Sequence, residues 1–316
     1  MSHEIESLAF AHSVPWHGLG VRVDDKITVE DMLEASGLNW EVERVPIYTG
    51  DNKEEAIPDH VCIRRATDKK VYDIVSPRWK PVQNREILHF FKDWTEAGDA
   101  TLETAGSLRN GRQVWALANL KTGFVLPGGD AVKGYVLLVG SHESGKATIA
   151  KPTSVRVVCA NTMALALRSS AGKYAPGEIH INHLNEFNAE EAKAMMGLSR
   201  ESITAFEKAA KTLQKMKLDM EKITDVLGPI FLSKESDDFS DESAWGPTMR
   251  NVMWAMDKAP GAVAGRTGWS VLNGVTYALD HMAKTTTPDG RFYAAQLGHQ
   301  AKNKQRTMEA LLELAA

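Results

Sequence analysis

The chain is poor in cysteine, in long apolar runs and in net positive charge, and each shortage excludes a class of protein. Cys62 and Cys159 are its two cysteines, far apart and at no metal-ligand or disulfide-framework spacing. No apolar stretch approaches the roughly 18–20 residues that cross a bilayer as a helix. The opening MSHEIESLAF is polar and acidic, without the basic segment and apolar run of a secretory leader. These absences lead to the expectation of a reduced, cytoplasmic setting with no membrane partner. A net charge of −4 excludes a generally basic coat for nucleic acid.

What is present is charge asymmetry. Between Ser107 and Pro176 stand nine basic residues, opposed by Asp130 and Glu143 alone. The segment therefore carries +7, leaving −11 for the rest of a chain whose total is −4. Such a local surplus points to a surface built for an anionic partner.

Periodicity and punctuation give the organisation. TVEDMLEAS reads as a helix capped by Thr28, between the β-like runs that include WEVERVPIY and HVCIRRA. SPRWKPVQN reads as a loop, because Pro77 and Pro81 exclude a helix interior. Asn84 is expected to cap REILHFFKDWTEAG, whose Ile87, Leu88, Phe91 and Trp94 share one helical face. Three strands follow, expected at 112–119, 134–139 and 146–158, the last two joined by the turn SHESG. The chain is then expected to turn helical at Asn161. The predicted class is α+β: a curved antiparallel sheet with a β-β-β-α core over 1–186, then a mainly helical region over 187–316. In the second region, a capping-box-like Asn188 and Glu191 open a long helix that Gly228 and Pro229 are expected to stop. An acidic loop around 232–247 and helices near Trp269–Met282 and Ala294–Leu314 complete it. No internal repeat is found.

Signals for catalysis are thin. Gly140 to Lys146 fits the GxxxxGK pattern of a phosphate-cradling loop. Ala147 stands where a hydroxyl should meet magnesium, and ATIAKPTSV is β-branched and broken by Pro152 where a helix should begin. A glycine-containing hairpin turn is the better reading. His180 and His183 lie in an extended-looking IHINH without carboxylate or cysteine companions, and Asp280-His281 reads as a helix-terminal charge pair. The expectation is a protein with no cofactor, no metal and no catalytic residue. A nucleotide-dependent enzyme using 140–148 is the least favoured alternative.

Several motifs, PWHGLG, SPRWKPVQN, GRQVWALANL, SHESG, VRVVCANTMALAL and TGWSVLNGVTYALDH, together resemble the phage/plasmid-like proteins of the domain of unknown function 932. The resemblance spans nearly the whole chain in order. It implies a phage, prophage or plasmid origin and carries no established biochemical role. The β-β-β-α order is also similar, at the level of fold, to the core of phage single-strand annealing proteins (the RecT, Redβ and Erf superfamily). That similarity implies a basic groove tracking single-stranded DNA, and assembly as a homo-oligomer.

The function expected is therefore a non-catalytic single-stranded DNA-binding or annealing protein of recombination or replication. The alternative is an interaction or regulatory module acting on a host or phage protein. Candidate nucleic-acid contacts are Arg78, Trp79, Lys80, Arg112, Lys146, Lys151, Arg156, Asn161, Arg168 and Lys173. Asn161 is placed to cap the helix after the basic strand. Trp79 is a ring between two cations on which a base could stack, although a tryptophan between prolines is also a common lid on a core, the role favoured here.

Overall fold

The structure, a computed structural model, describes residues 5–12, 20–53, 55–156, 161–164, 179–181, 183, 189–232, 245–283, 294 and 298–316. The class is α+β. One sheet of eight strands has the order β10-β9-β8-β7-β6-β1-β2, with β11 also paired to β9. Its members are β1 (Ile5–Phe10), β2 (Val21–Arg22), β6 (Thr101–Leu108), β7 (Gln113–Leu126), β8 (Asp130–Ser141), β9 (Thr148–Arg156), β10 (Asn161–Ala164) and β11 (Ile179–Ile181). β1 pairs antiparallel with β6, β6 with β7, and β9 with both β10 and β11, whereas β1 and β2 are parallel. A second sheet is an antiparallel meander of β3 (Val42–Thr49), β4 (Glu55–Arg65) and β5 (Val71–Val75).

The chain forms two compact units that interleave in sequence. The first comprises Met1–Lys121, Tyr135–Lys151 and Gly177–Gly197, and the second Thr122–Gly134, Pro152–Pro176 and Leu198–Ala316.

In the first unit, α1 (Val29–Ala35) begins where Thr28 accepts the Asp31 amide at 3.1 Å, the expected cap. It packs against β1, β6 and α2 (Asn84–His89). The single helix expected from REILHFFKDWTEAG is two short ones, α2 and α3 (Lys92–Glu96). Phe91 lies between them at φ −90° and ψ −4°, where the helical ladder is interrupted. The cap of α2 is Gln83 rather than Asn84, through a capping box with Glu86, whose carboxylate accepts the Gln83 backbone N–H at 2.6 Å. Asn84 is buried instead and donates its amide to the carbonyls of Leu38 and Trp40, each at 3.1 Å. A buried amide that has such partners is worth more to the fold there than at a cap.

The first unit tolerates no side chain at Gly106, where a Cβ would strike the Ser7 carbonyl and the Trp115 ring. The meander is protected at its β5 edge: Arg112 donates to the carbonyls of Tyr72 and Val71.

The second unit is built on α4 (Ala189–Lys215) from Leu198 onward, α5 (Met220–Phe231), α6 (Pro247–Lys258), α7 (Gly268–Tyr277) and α8 (His299–Ala315). Its centre is aromatic: Phe206 lies 5.8 Å from Phe124 and 6.1 Å from Trp269, whose indole donates to Asp130 at 2.8 Å. Gly134 leaves room for α4, where a Cβ would press on the end of the Ile203 side chain.

Three expectations for this unit fail. The long helix is interrupted between Lys215 and Met220, where Lys217 bridges Thr267 and Asp219 caps a new helix. Pro229 does not stop α5, which runs two residues further. So near the C-terminal end, proline removes a single ladder bond, and Leu232 still donates to Gly228 at 2.8 Å. Asn161 opens no helix: Asn161–Ala164 is strand β10, in register with Thr153–Arg156. The described residues therefore show a fourth strand where the core was expected to become helical. α6 went unread in the sequence, as did β1 and β6. Asn188 and most of the acidic loop lie outside the described residues.

Candidate nucleic-acid interface

Two hairpin tips of the first unit build the candidate surface. The first is the turn Leu108-Arg109-Asn110-Gly111 between β6 and β7, closed by the Gly111 amide on the Leu108 carbonyl at 3.1 Å. Arg109 and Asn110 have φ of 53° and 58°, the left-handed pair that matches strand twist in a tight hairpin. Asparagine tolerates this conformation and arginine resists it, so the fold holds Arg109 against its preference. Gly111 must be glycine, since a Cβ would collide with the Arg65 guanidinium and the Tyr72 hydroxyl.

The second tip is Ser141–Gly145, between β8 and β9, the expected hairpin turn. No helix begins at Lys146, so the GxxxxGK stretch does not present the row of helix-start N–H groups that a phosphate loop uses. One side chain and one backbone pairing position this tip. Asp73 on β5 accepts the Ser144 amide at 2.6 Å, and the His142 amide donates to the Arg112 carbonyl at 2.9 Å.

Glu143 joins the tips. Its carboxylate accepts Lys146 Nζ at 2.6 Å, Arg109 Nη1 at 2.8 Å and Arg112 Nη1 at 3.2 Å. Burial alone would push this carboxyl up, but the three cations outweigh it and hold Glu143 below the ordinary range. It stays ionised, and three cations share one negative charge at a side chain that is 15% exposed. The cations are each a third or more exposed or close to it. Arg109 and Lys146 each have donors beyond the one given to Glu143, so they can take phosphate oxygens without leaving it, whereas Arg112 also serves the Tyr72 and Val71 carbonyls.

Behind the tips lies an aromatic and histidine layer. His142 is fully buried, with Nε2 on the Asn84 side-chain oxygen at 3.0 Å. Asn84 commits its amide elsewhere, so the oxygen accepts and the proton is on Nε2. Among the described residues Nδ1 has no hydrogen-bond partner, and the ring stacks on Tyr72 at 5.7 Å. Burial, then the nearby His183 and Arg65, pushes His142 down to about 3, so it is neutral at physiological pH. Below about pH 6.5 the unfolded chain binds a proton that the folded chain refuses, so stability present above 6.5 is lost toward pH 3. Replacing His142 with Phe should flatten the fall in stability between these limits by up to about 1.4 kcal/mol per pH unit. Urea titrations of both proteins across that pH range measure it. Parallel pH profiles would contradict the buried neutral histidine.

The placement of the sequence candidates is uneven. Arg112 and Lys146 join the tips, accompanied by Arg109, which was counted in the basic segment but not singled out. The Asn-Gly dipeptide at 110–111 was the available signal for that hairpin. Arg78 is exposed and Lys80 half-buried on the SPRWKP loop.

Trp79 between them is not a stacking platform. It is buried, lying on the His183 ring at 4.4 Å, and belongs to the core of Val42, Ile63, Tyr72 and Val75. His183 fastens this loop by accepting the Lys80 amide at 2.7 Å and donating Nδ1–H to the Lys80 carbonyl at 3.0 Å. Lys151 is also buried, so its ammonium is not offered to a strand of nucleic acid. Asn161 sits in a β-pair and caps nothing. Arg156 is placed on β9 by its backbone, while Arg168 and Lys173 lie outside the described residues. Among the described residues, no three histidine, cysteine or carboxylate side chains gather as a metal site. No helix of the described residues is long and apolar enough to cross a membrane.

The family model described as "Domain of unknown function (DUF932)" matches residues 71–312, which includes both tips. No curated protein matches the chain, and no solved structure matches it.

Proposed function

Because the chain belongs to the DUF932 family, whose description names no activity, we propose its function from its own surface: it binds single-stranded nucleic acid through the phosphate backbone. The observation that carries this reading is the convergence of Arg109, Arg112 and Lys146 on Glu143 at two hairpin tips. Exposed Arg78 adds to the positive surface of the same unit. A surface that reads backbone needs spaced cations and no reacting group, which suits a non-catalytic protein of DNA recombination or replication. Annealing two strands would follow from several copies lining up along one strand, each adding a few phosphate contacts.

The test is binding of unrelated labelled oligonucleotides over a salt series. Arg109→Ala and Lys146→Ala should each weaken binding equally for all sequences and make the salt slope shallower by about 0.7. Arg112→Ala is a poorer probe, since Arg112 also covers the β5 carbonyls. Absence of binding at low salt, with the fold intact by thermal melting, would refute the reading. A specific feature favours the second reading, a protein-interaction module: Tyr48, Ile57, Val71 and Ile74 of the meander are exposed. Oligonucleotide binding that is insensitive to both tip substitutions would favour that alternative.

A further inference from the structure

The sequence offers one tryptophan bracketed by cations at SPRWK, and the fold buries it. The second unit presents the same arrangement in the open. α6 exposes Trp254 at 47%, with Arg250 four residues before it and Lys258 four residues after it. Positions i−4, i and i+4 lie on one helical face, so both cations flank the indole about 12 Å apart along the axis. Arg250 is held in place by a bond to the Trp245 carbonyl. The face carries one opposing charge, the exposed Asp257.

The platform is rigid from beneath. Met249, Val252, Ala255 and Met256 are buried on the other side of α6. α7 comes so close that a Cβ at Gly274 would overlap Met256. That contact turns Trp254 outward beside Tyr277, at 6.5 Å between ring centroids, and Tyr277 in turn lies 4.6 Å from His281. His281 belongs to the π-helical turn Ala278–Met282 that continues α7. Three rings thus run from α6 across to that turn. Leaving the largest apolar side chain half in water costs hydrophobic free energy, which a ligand with a flat π-face would recover. An apolar protein partner would be served better by apolar neighbours than by Arg250 and Lys258.

From this arrangement we infer that Trp254 is a base-stacking site for single-stranded nucleic acid, with Arg250 and Lys258 meeting the phosphates on either side of the stacked base. The inference rests on the nucleic-acid reading given above and adds to it a second, non-electrostatic contact. Stacking is indifferent to which base is offered, because every base has a π-face.

The experiment compares the full-length chain with Trp254→Ala and Trp254→Phe, using oligothymidylate and an abasic strand of equal length. Trp254→Ala should bind oligothymidylate between about 5-fold and 100-fold more weakly, with an unchanged salt slope. It should bind the abasic strand like the wild type, and Trp254→Phe should keep part of the affinity. Lys258→Ala should do the reverse, making the salt slope shallower on both strands. If the wild type binds oligothymidylate and Trp254→Ala binds it equally well, stacking is wrong while phosphate binding stands. If the wild type binds neither strand, both readings fall together.

Discussion

Replacing Lys304 with Met is expected to destabilise the chain by about 3–5 kcal/mol, the usual cost of stranding one member of a buried ion pair. Lys304 on α8 is 3% exposed and Asp280 on the π-helical turn is 7% exposed, with Nζ and Oδ1 2.8 Å apart. Almost no water reaches either group. Without the ammonium, Asp280 loses its Lys304 partner at a site only 7% exposed, and either keeping its charge there or taking up a proton costs folding free energy. The pair itself need not be strongly favourable, because each ion lost its hydration on burial. Lys304→Met combined with Asp280→Leu should therefore recover most of the loss. Urea denaturation of the two single variants and the double variant forms the test cycle. A Lys304→Met loss below about 1 kcal/mol would mean that the pair is hydrated in solution.

Arg65→Met is expected to cost a similar amount, about 3–5 kcal/mol, and to loosen the candidate interface as well. Arg65 donates to both Glu6 oxygens at 2.7 and 2.6 Å, to the Tyr72 hydroxyl at 2.7 Å and to the Asn110 carbonyl at 3.1 Å. Its guanidinium also lies 4.4 Å above the Trp40 ring. Burial pushes the Tyr72 hydroxyl up to about 12, so it stays protonated and remains available as both donor and acceptor. One side chain thus ties β1, the meander and the Arg109 hairpin together. Loss of the Asn110 bond should raise hydrogen exchange at Gly111 more than at the centre of β6. Fluorescence-detected denaturation and exchange at those amides measure both effects. Uniform exchange along the hairpin would show that Arg65 supports the core but not the tip.

Much of the local structure was legible in the sequence. Thr28 caps α1 because a hydroxyl before VEDMLEA can reach the amide of Asp31, a matter settled within four residues. The SHESG turn and the β-branched run after it made a strand-turn-strand of 140–156, since local propensity and glycine placement agree there. Asn84 and Asn161 misled for one reason. Each is a good helix cap by composition, but another pairing claimed its place: the carbonyls of Leu38 and Trp40, far off in sequence, for the first, and the neighbouring strand β9, through Arg156, for the second.

The candidate sites divide along the same line. Sequence by itself determined that cations accumulate between Ser107 and Pro176 and that Trp79 stands between Arg78 and Lys80. Only the tertiary structure decided which of them meet solvent. The spacing of Arg109, Arg112 and Lys146 along the chain says nothing of a common carboxylate, because Glu143 reaches them through the pairing of separate hairpins. SPRWK announced its tryptophan and buried it on His183, whereas RNVMWAMDK went unread and left Trp254 in water. Periodicity reports that a helix has an outer face. Which residue on that face stays uncovered depends on what packs against its neighbours, and α7 at Gly274 settles that for Trp254.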